Sequence, residues 1–388
     1  MARQIPEMLE NSATLYFGPW YRKTPFTDAT RRYGCSSYDI YNHTYLPGYY
    51  DDPETEFWAL LEDVTIWDVG CERIVEISGP DASAFINTLT CRDLTRCSVG
   101  QCKYMPVIAQ DGGIVNDPVM LRLAEDRWWL ALADSDAGLF ALGVAAHAGA
   151  DVSITYPPVC PIQVQGPKSK ATLQSLFEEE IQDLKYYWCR EVDLDGIPVV
   201  ISRTGWTALV GYEIYLCDPS RGDDLWEKVM AAGKPHGIRP IAPSEARRIE
   251  AGIFNYGSDI TLENNPHEVM GMERLVEEQE ADYLGKAALE RIAREGVRRR
   301  LVGIELEAPR LRAELAEYWP VHAGGRRVGR VTDAVWSPRL EKNIGYVWVP
   351  TELSEAGHEL EVRMPDGAVT GRTAAIPFID PKKKTPVT

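Results

Sequence analysis

Asp117 is the residue of this chain whose setting most clearly raises a chemical question. It lies in the stretch GGIVNDPVM (residues 112–120), where two glycines make a turn and apolar residues resume around one carboxylate. Burying an unpaired carboxylate costs several kcal/mol, so a strand that enters a core usually excludes one. Two interpretations follow: Asp117 forms an Asx turn or cap beside Pro118, or a ligand in a pocket partners its carboxylate.

Two further stretches place charged or amphipathic residues among apolar ones. SRTGWTALVGYEIYL (202–216) carries Trp206 and Glu213, and ARRIEAGIFNYGSDI (246–260) carries Arg248 and Tyr256. Simpler interpretations remain open, since Glu213 can lie on the solvated face of a strand and Arg248 on a solvated helix face. The functional interpretation is that carboxylates and aromatic rings line one cavity.

A strand–turn–helix unit, which could position such residues, occurs twice in the first half of the chain. RIVEISG (73–79) alternates like a strand and is followed by a Gly-Pro pair and a helix, for which Asp81 is the expected N-cap. PIQVQGPKSKATLQSLF (161–177) repeats the strand, the Gly-Pro pair and the apolar spacing of the helix. The repetition predicts an α+β body of repeated βαβ-type units.

The remaining pattern predicts further helices and then a β-rich end. Residues 53–64, 221–233 and 244–253 are predicted helices, the second ending at a glycine and the third capped by Ser244. Residues 196–216 are typical of a hairpin around a glycine-containing turn. After the basic run 294–300, short strands and Gly/Pro turns predict a small all-β module, with a frayed tail at 381–388.

Composition restricts the class of partner. The formal net charge is −17 and the pI is about 4.9, which disfavours nucleic acid and anionic membranes. The N-terminus shows no apolar segment of a signal peptide, and no apolar run is long enough to cross a bilayer, so we expect a cytoplasmic protein. The sequence does not fix the assembly, for which a homodimer is one expectation.

Common cofactor and metal motifs are absent from the sequence. It contains no G-x-G-x-x-G, P-loop, H-E-x-x-H or G-x-S-x-G motif. The eight cysteines include no C-x-x-C pair, and the spacing of Cys91, Cys97 and Cys102 disfavours a zinc site, so we predict reduced thiols and no metal.

Several stretches, in the same order along the chain, resemble the aminomethyltransferase family, to which the T-protein of the glycine cleavage system belongs. They include WDVGCERIVEISGPDA, GGIVNDPV, IQVQGPKS, SRTGWTALVGYEIY, RIEAGIFNYGSDI and VGRVTDAVWSPRLEKNIGYVWV. The resemblance implies a three-lobed, cloverleaf-like body that binds tetrahydrofolate in a central channel. It also implies a folate-binding region of two α+β lobes over residues 1–297 and a C-terminal β-barrel over residues 298–388.

The same resemblance implies roles for individual residues. Asp117 matches the catalytic aspartate of the family, near the reactive folate nitrogens. Tyr104 matches a folate-contacting tyrosine, Glu213 the glutamate that binds the polar edge of the pterin, and Arg248 an arginine of the R-L-E helix. Tyr256, in the same stretch as Arg248, is included among the cofactor-binding residues.

Departures from the T-protein pattern indicate a branch of the family. The family run D-V-S-H-M-G is here Asp68-Val69-Gly70-Cys71-Glu72-Arg73, and the family run T-G-Y-T-G-E-D-G-F-E is here TGWTALVGYE (204–213). Together with RKTPFTDATRRYGCSSYDIYNHTYLP and KYYWCRE, they resemble the folate-dependent demethylases. The implied reaction moves a methyl group from a small onium donor, such as dimethylsulfoniopropionate, to tetrahydrofolate and gives 5-methyltetrahydrofolate.

The donor is the least constrained part of this interpretation. Trp188 and Trp206 adjoin the implied folate channel, and aromatic faces can hold an onium methyl group without hydrogen bonds. The alternative is that they are core residues, which is favoured more for Trp188 than for Trp206. An N- or O-demethylase of another methylated small molecule is an alternative within the same class. A folate-binding regulatory protein without turnover is an alternative from another class.

Overall fold

The computed structural model describes residues 18–382 and 384–387. The segment 1–17, on which part of the signal-peptide argument rests, lies outside these residues. The α-helices are α1 Thr27–Arg32, α2 Pro53–Glu62, α3 Ala82–Thr88, α4 Ala137–Ala148, α5 Ser169–Phe177, α6 Glu179–Gln182, α7 Gly222–Gly233, α8 Glu245–Glu250 and α9 Lys286–Glu295. The strands are β1 Ser37–Tyr41, β2 Thr44–Tyr49, β3 Thr65–Asp68, β4 Arg73–Ser78, β5 Cys102–Tyr104, β6 Val107–Ile108, β7 Ile114–Asn116, β8 Val119–Ala124, β9 Arg127–Leu132, β10 Ser153–Thr155, β11 Cys160–Gln165, β12 Cys189–Leu194, β13 Ile197–Ser202, β14 Gly211–Leu216, β15 Arg239–Pro240, β16 Arg299–Glu307, β17 Trp319–Ala323, β18 Arg326–Ser337, β19 Lys342–Pro350, β20 Glu359–Met364 and β21 Gly367–Ala374.

The first lobe is a five-stranded antiparallel sheet in the order β10-β4-β9-β8-β5. Its apolar residues, among them Ile77 and Trp128, form a core with Phe85 of α3 and Ala141 of α4. Because side chains alternate across a strand, this packing fixes which residues of β8 and β9 lie on the helix side.

The second lobe is a six-stranded sheet in the order β12-β13-β14-β11-β3-β15, antiparallel except for the β15–β3 pair. One face buries Ile162 and Ile214 against Phe177 of α5 and Trp226 of α7. Residues of the opposite parity on β11 and β14 point away from these helices. One face of this sheet therefore packs in an apolar core, and the opposite face carries polar side chains.

Both predicted strand–turn–helix units are present. β4 leads through Gly79-Pro80 to α3, and β11 leads through Gly166-Pro167 to α5. The two glycines have φ values of +125° and +118°, a backbone conformation that residues with a Cβ rarely adopt. The predicted side-chain cap by Asp81 is wrong, because α3 has no such cap and the Asp81 carboxylate accepts from the backbone N–H of Asp151 at 2.8 Å.

The last part of the chain forms a closed barrel in the order β16-β19-β18-β17-β20-β21. Its interior contains Ile304, Val321, Val347 and Val362. A closed barrel has no free strand edge, and the strands and turns predicted for this part of the chain form it. The predicted α+β body with a C-terminal barrel is confirmed.

Two helix ends that the sequence predicts, the start of α8 and the end of α7, are present in the structure. The side chain of Ser244 accepts from the backbone N–H of Arg247 at 3.4 Å, so the predicted cap of α8 is confirmed. α7 ends at Gly233, so the predicted end at a glycine is confirmed, and a 3₁₀ turn follows it and ends before Gly237, whose φ is +80°. In the described part of the chain, no helix combines the length and apolar character needed to cross a membrane.

Candidate active site

A cavity of about 780 Å³ is lined by both sheets and by the segments that connect them to the barrel. Its volume falls within the range typical of small-molecule sites. Of the residues predicted to act in function, five line this cavity: Tyr104, Asp117, Trp206, Glu213 and Tyr256. Trp188 and Arg248 are not among its lining residues.

Asp117 follows β7 and is directed to the cavity by the residues on either side of it. The amide of Asn116 turns inward and donates to the carbonyl of Ala133 at 3.0 Å and to the hydroxyl of Ser135 at 2.7 Å. The carbonyl of Pro118 accepts from the backbone N–H of Met105 at 2.9 Å, which joins this turn to the end of β5. Asp117 is half-buried in the cavity wall, facing a site where a ligand can reach it.

Tyr104 is the residue whose side chain donates a hydrogen bond to the Asp117 carboxylate. Tyr104 pairs with Val119 across β5 and β8, and its hydroxyl donates to Asp117 at 2.8 Å. Burial raises the pKa of Asp117 to about 7, although the Tyr104 hydrogen bond favours the ionised form. A carboxyl with this pKa exchanges its proton near neutral pH, as a general acid or base must.

Further aromatic residues line the same cavity, among them Tyr41, Phe254 and Tyr256. The Tyr256 hydroxyl donates to the carbonyl of Ile114 at 2.9 Å, and the Tyr41 hydroxyl donates to the carbonyl of Tyr256 at 3.3 Å. Burial, followed by the nearby Asp117 carboxylate, raises the pKa of both hydroxyls, that of Tyr256 to about 12. Asp117 thus lies among neutral aromatic side chains.

Glu213 lies on the cavity face of the second sheet, in register with Gln163 of β11 and Ser202 of β13. Its carboxylate accepts from Gln163 at 2.8 Å, from the hydroxyl of Tyr215 at 2.9 Å, and from the hydroxyl of Thr204. The side chain is only 2% exposed, so the alternative that it lies on a solvated strand face is wrong. Burial raises the pKa of Glu213, and the hydrogen bonds oppose this change.

Arg248 is completely buried in an ion-pair cluster at the edge of the cavity, so the solvated-face alternative is wrong for it also. Its guanidinium pairs with Glu245 at 2.5 Å, with Asp259 at 2.8 Å, and with Asp333 of β18. Arg248 therefore joins α8 to the barrel. Arg248 does not line the cavity, and its predicted contact with the cofactor stays a prediction.

The two predicted donor-binding tryptophans have different positions. Trp206 lines the cavity, and the Arg248 guanidinium lies 5.5 Å from its ring centroid. Trp188 is half-buried against the core of the second lobe, with the Lys185 ammonium 5.5 Å from its ring. The structure does not bring Trp188 to the cavity, and its position matches the alternative in which it is a core residue.

Tyr41 and Glu72 are among the cavity residues that the sequence did not identify as candidates. Tyr41 reaches the cavity from the β1–β2 hairpin, and only the resemblance of the surrounding stretch to the demethylase branch pointed toward it. Glu72 lies in the turn after β3 and was visible in the sequence only as a departure from the D-V-S-H-M-G run. Neither local pattern indicates that these side chains face a cavity.

The described residues include no group of three or more His, Cys, Asp or Glu side chains that could hold a metal ion. All eight cysteines are free thiols. The absence of a metal from the function stays a prediction.

Family models match most of the chain. The GCVT N-terminal domain matches residues 26–280, and the glycine cleavage T-protein C-terminal barrel domain matches residues 299–380. The first of these ranges includes every residue that the sequence predicted to act in function.

Named relatives cover nearly the full length. The dimethylsulfoniopropionate demethylase of Ruegeria pomeroyi is 37% identical over 348 residues, which cover 89% of this chain and 94% of that protein. The aminomethyltransferase of Bacillus subtilis is 30% identical over 362 residues, which cover 92% and 99%. The crystal structure of the glycine cleavage system aminomethyltransferase T from Bartonella henselae matches with a TM-score of 0.84 and 20% identity, covering 92% of this chain and 98% of that one, which supports the fold.

Proposed function

This chain belongs to the glycine cleavage T-protein family, and we propose that it is a tetrahydrofolate-dependent methyltransferase that demethylates a small onium compound such as dimethylsulfoniopropionate. The observation that carries the proposal is the Asp117–Tyr104 pair, which faces the cavity with a carboxyl pKa of about 7. The demethylase relative with 37% identity supports this branch over the aminomethyltransferases, of which that of Bacillus subtilis is 30% identical.

Residues of the cavity fit a pterin. The Oε1 atom of Gln163 is buried without a hydrogen-bond partner among the described residues, and the Glu213 carboxylate lies beside it. These acceptors match a heterocycle edge that carries N–H donors. When bound, tetrahydrofolate would supply the amine nitrogen that accepts the methyl carbon. The donor sulfur would keep the bonding electron pair and leave as a neutral sulfide, and the nitrogen would lose its proton.

The protein has three tasks in this reaction. It aligns the methyl carbon and the acceptor nitrogen at about 3–3.5 Å. It excludes water, for which the buried aromatic wall is suited. It accepts the released proton, and we assign this role to Asp117, because its carboxylate titrates near neutral pH and, among the described residues, accepts a side-chain hydrogen bond only from Tyr104.

The surroundings of Asp117 also suit a cationic donor. Tyr41, Tyr104 and Tyr256 present aromatic rings around one carboxylate. Ring faces attract onium groups by about 0.5–2 kcal/mol each, and an onium methyl needs no hydrogen bond. We therefore place the donor at the Asp117 end of the cavity and the pterin toward Glu213, and we retain Trp206 as a peripheral donor contact.

A donor panel tests the proposed function. The purified protein would be incubated anaerobically with tetrahydrofolate and, separately, dimethylsulfoniopropionate, a quaternary amine, a tertiary amine and an aryl methyl ether, and 5-methyltetrahydrofolate would be measured by mass spectrometry. We expect turnover with the sulfonium donor. Turnover with a neutral ether and with no onium donor contradicts the onium assignment, and folate binding without turnover of any donor contradicts the enzyme assignment.

Location, assembly and domain limits are further parts of the proposal. Reduced thiols and the acidic charge support a cytoplasmic protein that binds neither nucleic acid nor membranes. The beginning of β16 at Arg299, directly after α9, supports a division into residues 1–297 and 298–388. A homodimer is testable by light scattering, in which a monomer mass of 43.5 kDa would contradict it.

A further inference from the structure

Glu72 is a cavity-facing carboxylate with no role in the reaction described above. It is half-buried in the turn after β3, where its backbone N–H donates to the carbonyl of Val69 at 2.9 Å. Within residues 18–382 and 384–387, no hydrogen-bond donor and no cation pairs with its side chain, on which only burial and the Glu213 charge act. A carboxylate kept in a cavity without a partner is costly unless a ligand supplies one.

The neighbours of Glu72 are also acceptors. Glu213 is the charged group that acts most strongly on Glu72, and burial together with this like charge raises the pKa of Glu72. Gln163 lies between Trp67 and Glu213 in the register of three adjacent strands. Its amide N–H₂ donates to Glu213, which leaves its buried carbonyl oxygen unpaired among the described residues.

This arrangement selects among ligand chemistries. Two carboxylates and an amide oxygen that line the same cavity offer directional lone pairs, and a ligand edge with several N–H groups would satisfy them. An onium methyl donor has charge but no N–H group, so it would leave the Gln163 oxygen unpaired. The pyrimidinone ring of a pterin carries a ring N–H and an exocyclic amine on one edge.

We propose that Glu72 and the Gln163 side-chain oxygen complete, with Glu213, an acceptor site for the N–H edge of the pterin, and that Glu72 is a cofactor-binding residue. This inference rests on the proposed function and deepens it. The D-V-S-H-M-G run of T-proteins has methionine where this chain has Glu72, so the second carboxylate distinguishes this protein from that pattern.

Calorimetric titration of tetrahydrofolate into wild type, Glu72→Gln and Glu72→Met tests the inference. A hydrogen bond that involves a charge predicts an affinity loss of roughly 10- to 100-fold in both variants. Glu352→Gln is the matched control, because Glu352 is exposed and lies outside the cavity wall, and it should bind as wild type does. The melting temperature of ligand-free Glu72→Gln should be no lower than that of wild type, since the change removes a carboxyl group that has no partner among the described residues and that lies beside Glu213.

A second ligand and a second readout separate the possible outcomes. 6-Methyltetrahydropterin lacks the aminobenzoyl-glutamate part of tetrahydrofolate. Its affinity for the two Glu72 variants should fall by the same factor as that of tetrahydrofolate, and the donor KM of these variants should stay within about twofold of wild type. Folate affinity within twofold of wild type, or a loss seen with tetrahydrofolate and not with the pterin, overturns the inference. An increase in donor KM at unchanged folate affinity also overturns it, because Glu72 would then bind the donor. If wild type itself fails to bind tetrahydrofolate, the proposed function is wrong. If wild type binds and turns over, and Glu72→Gln binds tetrahydrofolate as wild type does, only this inference is wrong.

Discussion

Asp117 and Glu213 are two carboxylates that face one cavity in different ways. Within the described part of the chain, Glu213 receives three hydrogen bonds from side chains, whereas Asp117 receives one, from Tyr104. Glu213 is thereby fixed to its strand and belongs to the framework, while Asp117 keeps lone pairs for a ligand and titrates near pH 7. For these two carboxylates, the number of side-chain donors separates the group that is fixed in place from the group that can react.

The largest effect is expected from Asp117→Asn. This change keeps the shape of the side chain but removes its ability to accept a proton, so turnover should fall roughly 10²–10⁴-fold. Folate affinity should stay within a few-fold of wild type, which calorimetric titration measures beside steady-state kinetics. A folded Asn variant with wild-type turnover would show that Asp117 is not the reacting group.

Glu213→Ala should affect binding and stability together. The change leaves the donors of Gln163, Tyr215 and Thr204 without their acceptor, so the free energy of unfolding should fall by about 1–3 kcal/mol. Tetrahydrofolate affinity should fall by roughly 10- to 100-fold. Denaturant unfolding and calorimetry measure the two losses, and a variant that loses neither would remove the distinction between the two carboxylates.

The pH dependence of stability isolates Asp117 in the ligand-free protein. Its pKa is about 7 in the folded state and about 3.9 in an unfolded chain, so the native state holds the extra proton between these values. The free energy of unfolding of wild type, relative to Asp117→Asn, should therefore decrease as pH rises from about 4 to about 7. Below and above that window the difference should be constant. If denaturant unfolding instead gives the same difference at every pH across this window, the Asp117 pKa is not raised.

Tyr104→Phe should produce a moderate effect. Loss of the hydroxyl removes the donor that favours ionised Asp117, so the carboxyl pKa should rise and the activity profile should move toward higher pH. At neutral pH turnover should fall by roughly 3- to 10-fold, because one neutral hydrogen bond contributes about 0.5–1.5 kcal/mol. The pH profile of kcat is the decisive measurement, since loss of packing alone would lower activity equally at every pH.

Trp206→Leu should have the smallest effect. Its ring already lies near the Arg248 guanidinium, which lowers its attraction for a second cation. The donor KM should rise by no more than about threefold, a fraction of one cation–π contact, with folate affinity nearly unchanged. Trp20→Leu, at a side chain that is 82% exposed, is the control. A larger loss of folate affinity than of donor affinity would assign the ring to the pterin.

Local pattern predicted much of the fold because its signals are short-range. The Gly-Pro turns at Gly79 and Gly166 were visible because each follows an alternating strand and precedes a helical spacing. The predicted side-chain cap by Asp81 was wrong because its carboxylate accepts from the backbone N–H of Asp151, which is distant in sequence. A competing tertiary partner is invisible to a local rule.

The site could be predicted only in part, because alternation tells which residues share a strand face and not what covers that face. Glu213 followed the period of a half-solvated strand, but its polar face closes a cavity. Arg248 followed the pattern of a solvated helix, but the barrel covers it and Asp333 pairs with it. The position of Asp117 came from the family resemblance, whereas its residues alone left an Asx turn equally open.

The cavity wall begins at Tyr41 and extends to Lys382, so it draws on segments made early and late in synthesis. The later part is tied down by backbone contact, since the N–H of Ile379 donates to the carbonyl of Glu250 at 3.0 Å and Gly252 lies against Pro377. During translation, the lobe that carries Asp117 leaves the ribosome well before this closing segment exists. The complete cavity wall therefore exists only after the segment that reaches Lys382 has been synthesised.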